Sequence, residues 1–289
     1  MKLFTKHSMM FLIMLPLTVM GQVNLPVLHD SLFNTYYHQR WTMFQLLPQT
    51  KGDIIFIGNS ITEGGQWSEL FNDVKIKNRG ISGDIFAGVI KRIDEVAKRK
   101  PAKVFLMIGT NDLARGISPD SIIKNIITVA DYLKQVTPAT KLYVQSILPV
   151  NNVFGKFGGH TSKAEQIKQV NEKLFKESPA HQYSFIDLYP FFCNSEGKLE
   201  KKYSNDGLHL TGAGYLLWKY LIYPQVYGVQ EKPSIIPAPR QLKWKKGFFP
   251  IHQCSSIVAT QKGLENESGQ LKAIVNSLGW DVDIKDKVP

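Results

Sequence analysis

The sequence predicts an α/β fold: one compact domain built on a parallel sheet with helices on both faces, followed by a shorter α+β segment. Short apolar runs rich in β-branched and aromatic residues recur up to about Gly228, and longer stretches with helical spacing separate them. Alternation of this kind builds right-handed βαβ units. A second observation concerns the ends of the apolar runs, where small polar clusters containing glycine follow. In an open parallel sheet those loops share one rim, the place where ligand crevices lie. The chain of 289 residues is long enough to bury a sizeable core.

In chain order, Lys2 and Lys6 precede an apolar run over 9–20, and Val19-Met20-Gly21 stands before Gln22. That pattern predicts a secretory signal over 1–21 and an exported mature chain. The run is short for a membrane span, and no cysteine sits at the cleavage point, so neither stable insertion nor a lipid anchor is expected. Residues 30–47 carry Phe33, Tyr37, Trp41 and Phe44 at roughly helical spacing, with Asp30 or Ser31 able to cap. Pro48 and Gly52 break the chain before a strand at 53–57.

Further strands are expected at 74–77, 104–108, 142–148 and 184–188, and helices at 85–98, 120–135, 162–177 and 215–222. The helix at 85–98 has Asp84 near its start and Lys98, Arg99 and Lys100 near its end, signs that suit the helix dipole. The domain is expected over 22–228. Pro233, Pro237 and Pro239 mark 229–240 as an extended linker. Beyond it, 241–289 reads as a partial accessory unit with strands at 242–251, 256–260 and 280–284 and a helix at 269–278.

Composition narrows the function classes. Lys and Arg number 35 against 24 Asp and Glu, a formal charge of +11, but the basic residues are scattered. A solvated surface fits that pattern better than a nucleic-acid partner. Cys193 and Cys254 are the only cysteines; a disulfide is permissible in an exported chain, and two free thiols fit equally. There is no His-Glu-x-x-His and no cysteine–histidine cluster, so no metal and no cofactor are expected.

The chemistry is carried by four clusters. Ser60 follows the first strand in Gly58-Asn59-Ser60 and could be a nucleophile or a helix N-cap. Asn78-Arg79-Gly80-Ile81-Ser82-Gly83-Asp84 follows the second strand, Gly109-Thr110-Asn111-Asp112 the third, and Asp206-Gly207-Leu208-His209 comes before the closing helix. Acyl transfer needs a nucleophile, a base, an orienting group and oxyanion donors. Ser60 supplies the hydroxyl, His209 the base, and Asp206 the group that fixes its tautomer. The N–H of Gly80, the amide of Asn111 and the N–H of Ser60 are the candidate oxyanion donors. Asn78, Asp84 and Asp112 read as turn, cap or bracing residues. His160, in a glycine-rich loop, could line a pocket, and the remaining histidines read as structural.

Together the clusters resemble the blocks of the SGNH (GDSL-like) hydrolase family over about residues 50–228. Gly58-Asn59-Ser60 matches the nucleophile block, Gly80 the glycine block, Gly109-Thr110-Asn111-Asp112 the asparagine block and Asp206-Gly207-Leu208-His209 the Asp-x-x-His block. Asn59 departs from the aspartate in the family's name, at a position outside the triad. The resemblance implies a flavodoxin-like three-layer sandwich, a Ser-His-Asp triad and ester hydrolysis without a metal. Residues 235–240, with Trp244 and Gly247-Phe248-Phe249, resemble the start of the non-catalytic domain of bacterial β-N-acetylhexosaminidases, and no chemistry is assigned to them. A fusion of that kind would favour a carbohydrate O-acetyl ester, sialate among the candidates, as substrate. The rival expectations are a lysophospholipase or arylesterase on the same fold and a non-catalytic glycan-binding protein.

Overall fold

The apolar runs after Gly52 become a parallel sheet. In chain order, α1 (Thr35–Leu46) leads into β1 (Ile54–Gly58), α2 (Ser60–Glu63), α3 (Trp67–Phe71) and β2 (Ile76–Gly80). Next come α4 (Phe86–Lys98), β3 (Lys103–Met107), α5 (Thr110–Ala114), α6 (Pro119–Val136) and β4 (Lys141–Gln145). Then follow α7 (Gly158–Thr161), α8 (Ala164–Glu177), β5 (Ser184–Ile186), α9 (Tyr189–Phe192) and α10 (Gly212–Tyr227). The computed structural model describes residues 23–228, 256–258, 263, 265–277 and 282–285. The expected signal at 1–21, the proline-rich 229–240 and the strand at 242–251 lie outside them.

All five strands of the main sheet run parallel, in the order β2-β1-β3-β4-β5. This is the flavodoxin-like order. Every residue of β1 is buried, which is why its sequence is continuously apolar rather than alternating. Register sets Phe56 beside Phe105 and Phe105 beside Tyr143, so the three rings share a face. Their centroids lie 4.8 and 4.7 Å apart, and Trp67 extends the stack at 4.3 Å from Phe56. Trp218 of α10 meets Trp67 edge-on at 4.8 Å and donates its N–H to Gln145 Oε1 at 2.7 Å. Against the other face α4, α6 and α8 lie side by side, burying Ile93, Ile126 and Val170. Each such side chain contributes about 1.5–3 kcal/mol relative to exposure.

Several boundaries differ from the sequence expectation, each for a local reason. Asp30 and Ser31 belong to a separate 3-10 turn, Asp30–Leu32, and α1 is capped instead by Asn34, whose side chain accepts from Tyr37 N. β2 begins at Ile76 because Val74 is left exposed in the preceding turn. β4 stops at Gln145: the Ser146 N–H still donates to the Ile186 carbonyl, but at Ile147 the backbone is taken over by a side chain, Asn171 accepting the Ile147 N–H and donating to its carbonyl. α10 runs through Pro224, past the expected end at 222, because burial of Ile222 and Val226 outweighs the missing N–H of Pro224. Later in the chain, β6 (Ser256–Val258) and β7 (Asp283–Lys285) pair in parallel, connected through α11 (Glu265–Ser277).

Candidate active site

β1, β2 and β3 end level with one another, Gly58 opposite both Gly80 and Met107. The loops that follow therefore meet on one rim. Asn59 caps α2, its Oδ1 accepting the Ile61 N–H at 3.0 Å. The N-cap role thus falls to Asn59, and the Ser60 hydroxyl is left for another partner. Ser60 Oγ lies 3.0 Å from His209 Nε2.

His209 reaches Ser60 from the loop before α10. Its Nδ1 is 2.8 Å from Asp206 Oδ2, while Asp206 Oδ1 accepts the N–H groups of Leu208 and His209 at 2.9 and 2.8 Å. A carboxylate only accepts, so Nδ1 of the neutral ring carries the proton and Nε2 offers its lone pair to the Ser60 hydroxyl. Burial works to raise the Asp206 carboxyl, but the hydrogen bonds from His209 and from the Leu208 and His209 amides outweigh it and hold it below its usual value. The loop is tight. Gly207 has φ +84°, and a Cβ there would lie 1.8 Å from the Asn151 carbonyl oxygen.

The loop after β2 departs from the expectation. The Gly80 N–H donates to Asn78 Oδ1 at 2.8 Å, and a Cβ on Gly80 would lie 2.2 Å from Glu63 N. Gly80 is therefore glycine because α2 packs on it, and its donor is already engaged. Asn78 in turn donates to the carbonyls of Glu63 and Gly65, both at 2.9 Å, bracing α2 against β2. Just beyond, the Asp84 N–H closes a turn onto the Ile81 carbonyl, with Gly83 at φ +74°, the geometry in which a type II turn favours glycine. The Gly83 N–H donates to no backbone or side-chain acceptor among the described residues. Gly83 is not among the donors expected from the sequence, although the Ser82-Gly83-Asp84 turn is a signal for it.

Asn111 sits at the start of α5, 8 % exposed, with Nδ2 donating to the Asp84 carbonyl at 2.7 Å. Its Oδ1 lies 2.9 Å from His160 Nε2. A cleft of about 470 Å³ adjoins them, lined by Gly83, Asn111, Arg115, Phe157 and His160 among others. His160 thus lines a pocket, and the Phe157 ring beside it meets His209 edge-on at 5.0 Å. Asp84 is no catalyst: its carboxylate pairs with Arg92 at 2.8 Å, deep in the core. Asp112 accepts the Phe86 N–H, and burial pushes its carboxyl up to about 6. No group of three or more His, Cys, Asp or Glu side chains among the described residues could hold a metal ion.

A hydroxyl, a tautomer-fixed imidazole and an anchored carboxylate on the rim of a doubly wound sheet form a hydrolase's kind of site. The chain belongs to the GDSL-like lipase/acylhydrolase family, which it matches over residues 56–217, and it is a carboxylic ester hydrolase. It is 28 % identical over 204 residues to the platelet-activating factor acetylhydrolase IB subunit alpha1 of Homo sapiens, covering 65 % of this chain and 83 % of that protein. Among solved structures, a GDSL-like lipase from Bacteroides thetaiotaomicron is 27 % identical with a TM-score of 0.58, covering 66 % of this chain and 96 % of that one. An acetylxylan esterase from Geobacillus stearothermophilus shares the fold with a TM-score of 0.51 at 15 % identity, covering 62 % of this chain and 96 % of that one.

Proposed function

We propose that this chain is an exported serine esterase that removes acetyl groups from carbohydrate esters. The observation that carries the reading is the relay from Asp206 Oδ2 through His209 to Ser60 Oγ, at 2.8 and 3.0 Å. Ser60 Oγ attacks the acetyl carbonyl carbon, and His209 Nε2 takes the hydroxyl proton as the C–O bond forms. Asp206 stabilises the imidazolium that results. The oxyanion is met by the Ser60 N–H, by the remaining Nδ2–H of Asn111 and by the uncommitted Gly83 N–H rather than by Gly80. His209 then protonates the departing sugar oxygen. A water, deprotonated by His209, attacks the acetyl carbonyl carbon of the acyl-serine; the bond to Ser60 Oγ breaks, His209 returns the proton to that oxygen, and acetate leaves. No metal is needed, because the developing charge is met by N–H donors.

Acetyl is favoured as the acyl group by two similarities: the human relative is named as an acetylhydrolase and the Geobacillus protein as an acetylxylan esterase. A carbohydrate as the alcohol part is supported by the hexosaminidase-like tail, and export by the signal-like residues 1–21. The human relative's name supports a second reading, an acetylated lipid as substrate. Acetate release by wild type and by Ser60→Ala tests both. The panel holds 4-nitrophenyl acetate, 4-nitrophenyl octanoate, acetylated xylan, O-acetylated sialic acid and an sn-2-acetyl ether phospholipid. Acetate release from the sugars that vanishes in the variant supports the proposal. Preference for the phospholipid selects the second reading, and a folded wild type inert on every ester refutes both.

A further inference from the structure

We propose that His160 is a positioning residue: its Nε2–H holds the Asn111 carboxamide so that one Nδ2–H is left for the acyl oxygen of a substrate bound at Ser60. The inference rests on the serine-esterase reading above.

Donor and acceptor chemistry decides the orientation of Asn111. The Asp84 carbonyl can only accept, so the carboxamide atom 2.7 Å from it is the NH2 group. Oδ1 then faces His160, and Nε2 at 2.9 Å must donate to it. A neutral His160 is therefore the Nε2–H tautomer, the opposite of His209, whose Nδ1 holds the proton. Burial, with the charges of His209 and Arg115 adding to it, pulls the His160 imidazole below its usual value, so the ring is neutral at pH 7. Asn111 has two amide hydrogens; one goes to Asp84 and the other faces the cleft that Asn111 lines.

Without His160, the carboxamide is held at one end only. The terminal torsion of Asn is broad and roughly two-fold, so the group can turn its oxygen towards the place where negative charge develops. The loop that carries His160 is itself built under strain. Phe157 has φ +52°, an outlier for a bulky residue, and its carbonyl accepts the N–H groups of His160 and Thr161 at 2.8 and 2.9 Å. Its ring meets His160 edge-on at 5.9 Å and His209 at 5.0 Å, so one side chain buttresses both imidazoles.

The test uses the full chain with His160→Leu, His160→Gln, Asn111→Ala and the His160→Leu/Asn111→Ala pair. kcat and KM on 4-nitrophenyl acetate are measured with Tm, and the His160 tautomer is read from ¹⁵N–¹H correlations in Ser60→Ala. Loss of an oxyanion donor lowers kcat about 10²–10³-fold, and loosening that donor should lower it by about 10-fold, with KM and Tm little changed. His160→Gln, which keeps a donor, should recover most of the rate, His160→Leu should add nothing to Asn111→Ala, and Nδ1 should be unprotonated. Equal losses in Leu and Gln variants, a full effect of His160→Leu on top of Asn111→Ala, or an Nδ1–H tautomer would overturn the proposal. An unchanged kcat in His160→Leu beside a dead Ser60→Ala overturns it and leaves the esterase reading standing. A folded wild type inert on all esters overturns both.

Discussion

Asp112 lies directly behind Asn111, 1 % exposed, and its carboxyl is pushed by burial from 3.8 to about 6. Each pKa unit is worth 1.36 kcal/mol, so ionising it in place costs about 3 kcal/mol. The sign follows from linkage. Between pH 3.8 and 6 the native state binds a proton that the unfolded chain has released, so stability falls as pH rises through that window. Asp112→Asn cannot ionise and keeps an oxygen to accept the Phe86 N–H, now at 3.0 Å from Oδ1. Its amide group then stands where the second oxygen was, at an uncompensated cost of about 1–3 kcal/mol that is independent of pH. The variant should therefore be the weaker protein at pH 4 and should gain about 3 kcal/mol relative to wild type by pH 8. Urea unfolding at steps from pH 4 to 8 gives both curves. Asp84, also raised by burial against the opposing pull of Arg92, leaves a residual slope in the variant. A difference between wild type and Asp112→Asn that stays constant from pH 4 to 8 would refute the reasoning.

Other expectations concern the site and its supports. Asp206→Asn should lower kcat on the order of 10³–10⁴-fold, since the imidazole loses its tautomer guide, with circular dichroism unchanged. Asn111→Ala should lower kcat about 10²–10³-fold in the same acetate assay while KM moves little. Gly207→Ala places a Cβ 1.8 Å from the Asn151 carbonyl at φ +84°, and should lose more than about 2 kcal/mol of stability along with activity, read by urea unfolding and acetate release. Trp218→Phe leaves buried Gln145 Oε1 without its 2.7 Å donor and should lower stability by about 1–3 kcal/mol in the same titration, with activity retained.

Much of the architecture is local and was legible in sequence. β1 and β3 announce themselves as continuous apolar runs because parallel strands are buried on both faces, and α4, α6 and α8 show one apolar stripe because only one side meets the sheet. Element ends were less legible. Where β4 ends depends on Asn171, 24 residues away, coming to hold the Ile147 backbone, and α10 crosses Pro224 because of what packs on Ile222 and Val226.

The same division runs through the site. Sequence by itself determined the family, the sheet and the clusters on its rim, because each is written in contiguous residues: Gly58-Asn59-Ser60, Gly109-Thr110-Asn111-Asp112 and Asp206-Gly207-Leu208-His209. Only the tertiary structure decided which atoms within those clusters remain free. Gly80 and Gly83 look alike as letters, yet Asn78 occupies the N–H of one and no described residue that of the other. His160 is one histidine in a glycine-rich loop until the fold sets its Nε2 2.9 Å from Asn111 Oδ1, across 49 residues of chain. A hydrogen-bond donor has no fixed role in sequence; its role depends on which acceptor reaches it first, and that is a property of the folded chain.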